Sequence, residues 1–141
     1  MEAVIEAVKK IENAPADTEV RNVKKITVGQ AIQQGDIYIH RVSERHSRGK
    51  ALGKNSVQVA LGVGNGARHM ACGKISVFEG CFLPNGVGIP DVDASVLCGP
   101  VIVAEGPWML THPEHAHFAM PAGTYQTTYQ YDPKTMRRVQ D

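Results

Sequence analysis

The residues with the most chemistry per position lie in Thr111-His-Pro-Glu-His-Ala-His-Phe118, where three of the six histidines fall within six residues around one glutamate. Imidazole binds metal through a neutral ring nitrogen and gains charge near neutral pH, so such a cluster suits a metal site or an anion site. Pro113 keeps His112 extended or in a turn. From Glu114 onward the chain reads as a strand, in which alternate side chains share a face. That places His115 with His117, and sets Ala116, Phe118 and Met120 on an apolar opposite face. An H-x-H pair on one face converges on a divalent cation at roughly 2.0–2.2 Å, with His112 or Glu114 supplying a third ligand. The plain alternative is a set of surface or turn histidines with ordinary hydrogen bonds.

Two other segments carry weaker signals. Gly62-Val-Gly-Asn-Gly-Ala-Arg-His69 has the glycine spacing of an anion-binding nest, with Arg68 beside it. It lacks a following lysine and a long helix, so a β-hairpin loop is the simpler reading. If this part is a strand, Arg68 and His69 point to opposite faces. Should His69 meet His112 or His115, the rings form one cluster, and protonation below about pH 6 expels a cation or recruits an anion. The segment His40–Lys54 gathers Arg41, Arg45, Arg48, Lys50 and Lys54 against Glu44 alone. It could contact phosphate, but without interleaved aromatics it reads as a solvated loop. No G-x-S-x-G elbow or complete calcium loop is present.

These residues need elements to hold them, and the chain punctuates itself for strands. Its 141 residues fit one domain. Fourteen glycines and eight prolines suit short strands joined by turns. Residues 2–12 put Val4, Ile5, Val8 and Ile11 on a helical stripe, and Ala14–Arg21 reads as a linker. Thr27-Val-Gly-Gln30 looks like a capping box before a helical turn over Val28–Gln33, with Gly35 at its end. From Asp36 the period is two: Ile37, Ile39 and Arg41 alternate with Tyr38, His40 and Val42. Residues 43–55 read as a loop. Val57–Leu61, Arg68–Cys72, Ile75–Glu79, Pro100–Glu105, His115–Met120 and Thr124–Tyr131 read as strands, and Gly80–Ala94 as a long loop. Met136–Val139 reads as a helical turn or an edge strand.

The expected fold is therefore mainly β, a small barrel or sandwich of about eight short strands with an N-terminal helix. Residues 1–34 form a helical arm and linker, and 35–141 the β domain. An amphipathic arm of this kind suits docking across a homo-oligomer. Cys72, Cys81 and Cys98 have no CxxC spacing and read as small buried apolar residues. The net charge of +1 gives no drive toward nucleic acid or membrane. With no signal-peptide pattern and no run near ~20 apolar residues, a cytoplasmic place is expected, or a virion if the chain is a phage structural protein.

Two resemblances bear on function. Gly106, His112, His115-Ala-His117 and the Pro121-Ala-Gly123 turn resemble the second motif of cupins, small metal-binding β-barrels. The acid that follows the histidine pair there is missing here, and Tyr125 or Gln126 stands where a histidine is expected. The chain also resembles a dispersed group of small bacterial and phage proteins of unknown activity. The likeness covers roughly residues 35–141: Gly35-Asp36-Ile37, Gly66 to His69, His112-x-Glu114-His115, Pro121 to Tyr125 with Gln130, and a tail of Arg137, Arg138, Val139 and Asp141. This likeness makes His69, His112, Glu114 and His115 the shared pattern and His117 an extra of this chain. The first functional reading is a non-enzymatic β-barrel binding protein with a site built from those four residues, with Arg68, His117 and Tyr125 as further candidates. Its ligand is a divalent metal such as zinc or a small anion. The rivals are a metal-dependent hydrolase and a phage-type decoration or assembly protein forming homo-oligomers.

Overall fold

The computed structural model describes residues 19–61, 68–80, 88, 92–132, 134–135 and 137–138. Within them the chain is mainly β: eight strands in one curled half-barrel sheet and a two-stranded ribbon. The sheet contains β1 (Val20–Asn22), β2 (Ala31–Gln34), β3 (Ile37–Val42), β4 (Arg48–Leu61), β5 (Arg68–Gly80), β6 (Cys98–Thr111), β7 (His117–Met120) and β8 (Gly123–Tyr129). The ribbon pairs β9 (Tyr131–Asp132) with β10 (Arg137–Arg138). One helical turn, α1 (Ala94–Leu97), leads into β6.

The long strand β6 organises the sheet. One edge pairs with β5 along its length, and β5 carries β4. The other edge is divided. Cys98–Ala104 pairs with β8, which continues to β3 and β2. Trp108–Leu110 pairs with β7, to which β1 adds in parallel. The partner changes at Glu105–Pro107, where the β5–β6 register slips between Gly73↔Trp108 and Ile75↔Ala104. A bulge bends and twists a strand, which curls the sheet here, and it accommodates Pro107, which has no N–H to give. Gly73 takes a φ of 136°, and a Cβ there would lie 2.9 Å from Trp108 Cα.

The concave face holds the core. Ile37, Ile39, Ile75, Val77, Ile102, Trp108, Leu110, Phe118, Met120 and Tyr125 are buried in one cluster, at the alternate positions that period two assigns to one face. Cys72, Met109 and Ala119 form a small second cluster. Cys72 thus behaves as a small apolar residue, and Cys98 is half-buried.

Several expectations change. The N-terminal helix of residues 2–12 lies outside the described residues. Thr27–Gln30 is a turn, with Gly29 at φ 98° and Gln30 N–H donating to Thr27 O at 2.9 Å. Gln30 Oε1 accepts from Thr27 N–H at 2.8 Å, so half of the capping-box exchange is made without a helix. The chain then enters β2 rather than a helical turn, because Ala31–Gln34 pairs with β3. Gly35, at φ 57°, opens the two-residue hairpin turn between them. The basic segment expected as a loop becomes strand from Arg48. The two strands expected on either side of Gly73 are one strand, and the strand expected over Pro100–Glu105 runs on through the bulge to Thr111. Strand β7 begins at His117, so His115 sits in the turn and shares no strand face with it.

Candidate functional site

The β5–β6 ladder runs Met70↔Thr111, Ala71↔Leu110, Cys72↔Met109. One step further, the same register sets His69 opposite His112. Their rings lie 4.4 Å apart between centroids. The turn after His112 returns His115 onto the same stack, 4.4 Å from His112 and 6.5 Å from His69. The two histidine segments therefore meet. His69 and His112 are buried, His115 is half-buried and Glu114 is exposed. Arg68 points to the opposite, exposed face, as alternation requires.

His69 is also gripped from the far wall of the half-barrel. Its Nδ1 lies 2.8 Å from Gln34 Oε1 and its Nε2 lies 2.8 Å from Asp36 Oδ1. Gln34 and Asp36 flank Gly35 in the β2–β3 hairpin, and both are buried. The Gln34 amide has a fixed orientation, because its Nε2 donates to Leu110 O at 3.2 Å and Ala116 O at 2.8 Å. Its oxygen must then face His69, so Nδ1 carries a proton. Its Nε2 makes a second hydrogen bond, with the Asp36 carboxyl. Both ring nitrogens of His69 are thus committed to hydrogen bonds, and neither presents a lone pair.

His112 is oriented in a related way. Its Nδ1 accepts the Glu114 backbone N–H at 3.0 Å, which makes Nε2 the protonated nitrogen of the neutral ring. His117 Nε2 donates to His112 O at 3.2 Å, so the buried His117 braces the turn. Glu114 enters the site through its backbone. Tyr125 stands apart: it pairs with Arg41 at the other end of β3 and gives its hydroxyl to Pro121 O at 2.7 Å. Burial raises its phenol pKa, and the nearby Arg41 charge acts the other way. Among the described residues, no group of three or more histidine, cysteine, aspartate or glutamate side chains is arranged to hold a metal.

Residues 33–130 match the family described as Domain of unknown function (DUF8820). The chain belongs to the DUF8820 family. The matched span of DUF8820 takes in Gln34, Asp36, His69, His112, Glu114, His115 and His117 together. No curated protein and no solved structure matches the chain. Among the described residues, no helix is long and apolar enough to cross a membrane.

Sequence reasoning missed Gln34 and Asp36. Their signal was present: a Gly-Asp pair between two apolar runs marks a two-residue hairpin, whose flanking side chains are brought together.

Proposed function

We propose that this DUF8820 chain is a non-enzymatic binding protein, and that the His69–His112–His115 stack takes a small anion. The observation that carries this reading is the direction of the hydrogen bonds. A metal ligand needs a ring lone pair. Both His69 nitrogens are engaged by oxygens, and the His112 lone pair is taken by the Glu114 amide. The half-buried His115 closes the stack toward solvent, and imidazole rings that act as N–H donors, gaining charge when protonated, suit an oxyanion. The same geometry disfavours a zinc hydrolase, which needs three lone pairs and an open coordination position.

The test is a titration of the full chain with sulfate, whose charge is constant between pH 5.5 and 7.5, followed by calorimetry and by the histidine ring resonances. Sulfate is expected to perturb the His112 and His115 rings, and to bind more tightly at the lower pH. His112→Ala with His115→Ala should abolish this binding while the melting temperature stays within a few degrees. Stoichiometric zinc binding lost in the same variant, with no response to sulfate, would overturn the reading.

A further inference from the structure

A second group of residues lies at the other end of β3 and owes nothing to the histidines. On that strand Ile37 and Ile39 point into the core, and Arg41 has the same parity. Alternation thus sends a guanidinium toward the concave face. By strand rise it stands roughly 15–17 Å from Asp36, so the two places are distinct.

The Pro121-Ala-Gly-Thr-Tyr125 segment is built around that guanidinium. Gly123 has a φ of 149°, and a Cβ on it would fall 2.5–2.7 Å from Arg41 Cζ, Nη1 and Nε. The guanidinium therefore lies on the bare Gly123 backbone, a seat that only glycine provides. Its Cζ also stands 5.7 Å from the centroid of the Tyr125 ring. Pro121 O holds that wall in place, accepting from Tyr125 Oη at 2.7 Å and from Trp108 Nε1 at 3.2 Å.

The seat positions the charge without neutralising it. Arg41 Nη1 reaches Ala122 O at only 3.5 Å. Its Nε is buried with no hydrogen-bond acceptor, and no carboxylate lies within ion-pairing distance among the described residues. Arg41 is half-buried, and a guanidinium whose Nε is shut off from water without an acceptor gains from an anion that reaches its fork. Arg41 lines a cleft of about 560 Å³, together with Arg48, Glu44, Glu105 and residues 122–124. Arg48 is itself set over the Phe78 ring at 5.3 Å.

We propose that this cleft binds a small carboxylate-bearing molecule, with the carboxylate on the guanidinium that Gly123 and Tyr125 clamp. A planar fork pairs with a carboxylate through two parallel hydrogen bonds. Glu44 and Glu105 face the same space and oppose a polyanion, while leaving room for an ammonium group on the same ligand. An α-amino acid has this charge pattern.

The full chain is titrated with sodium acetate, glycine and inorganic phosphate, reading the Arg41 Nε–Hε resonance and the Gly123 and Thr124 amides. Acetate and glycine are expected to shift all three, glycine the more tightly. Arg41→Lys, which keeps the charge and loses the fork, should weaken binding about tenfold or more. His112→Ala should leave it unchanged, which separates this site from the histidine stack. The wild-type titration decides the matter even if Arg41→Lys fails to fold. No shift with acetate or glycine, tighter binding of phosphate than of either, or shifts that survive Arg41→Lys would each overturn the proposal.

Discussion

At the scale of single residues, the histidine end depends on one buried pair. Asp36 and His69 are both fully buried and 2.8 Å apart. Removing one member of such a pair strands the other, which costs about 3–5 kcal/mol. Asp36→Asn is expected to lose stability on that order in urea denaturation; a loss under about 1 kcal/mol would mean that the pair holds little. A different histidine governs part of the pH response. Burial holds the His40 pKa below its ordinary 6.5, with Nε2 at 2.8 Å from Thr128 Oγ1. As pH falls, the unfolded chain takes up this proton first. The stability that neutral His40 contributes is complete above about 6.5 and drains as pH falls through that value. The wild type should therefore lose more melting temperature than His40→Gln between pH 7.5 and 5. Parallel curves would remove His40 from the explanation.

At the scale of elements, the bulge opposite Gly73 lets one strand serve two partners. Gly73→Ala forces a Cβ against Trp108 backbone at positive φ, whereas Gly29→Ala, also at positive φ, meets open space. Both substitutions carry roughly 1–2 kcal/mol of backbone cost, and only the first adds a clash. Thermal unfolding should thus rank Gly73→Ala well below Gly29→Ala; equal losses would show that the contact with Trp108 relaxes freely. These elements were unevenly legible. The alternation of Ile37 with Ile39, and the run Pro100–Glu105, announced strands because one face or both are buried. Gly73 and Gly106-Pro107 looked like strand ends, because a bulge and a turn use the same residues. Thr27–Gln30 looked like a helix start because the same side-chain exchange closes a turn. The meeting of His69 with His112 was conditional on a β5–β6 register that no local pattern contains, and Gln34 reaches His69 only across the curl of the sheet.

At the scale of the whole molecule, the half-barrel leaves an edge. Strand β4 pairs with β5 alone among the described residues, so fourteen residues present their outer edge. Lys50 and Lys54 are exposed on it, and its register slips repeatedly against β5. Charges and irregular pairing on an edge keep it from adding further strands. Replacing both lysines with valine is expected to raise the mass seen by light scattering, and an unchanged monodisperse mass would contradict this. The length of β3 separates Asp36, just before the strand, from Arg41 near its far end, so the two residues stand in different surroundings. The histidine end is the centre of the functional reading, and its claim is about protons. The most direct measurement is a long-range nitrogen–proton spectrum of the histidine rings at pH 7. Protons on Nδ1 of His69 and on Nε2 of His112, with the proton between His69 Nε2 and Asp36 also visible, are the expected result. A His69 or His112 ring with the bare nitrogen on the other side, open to a cation, would contradict it.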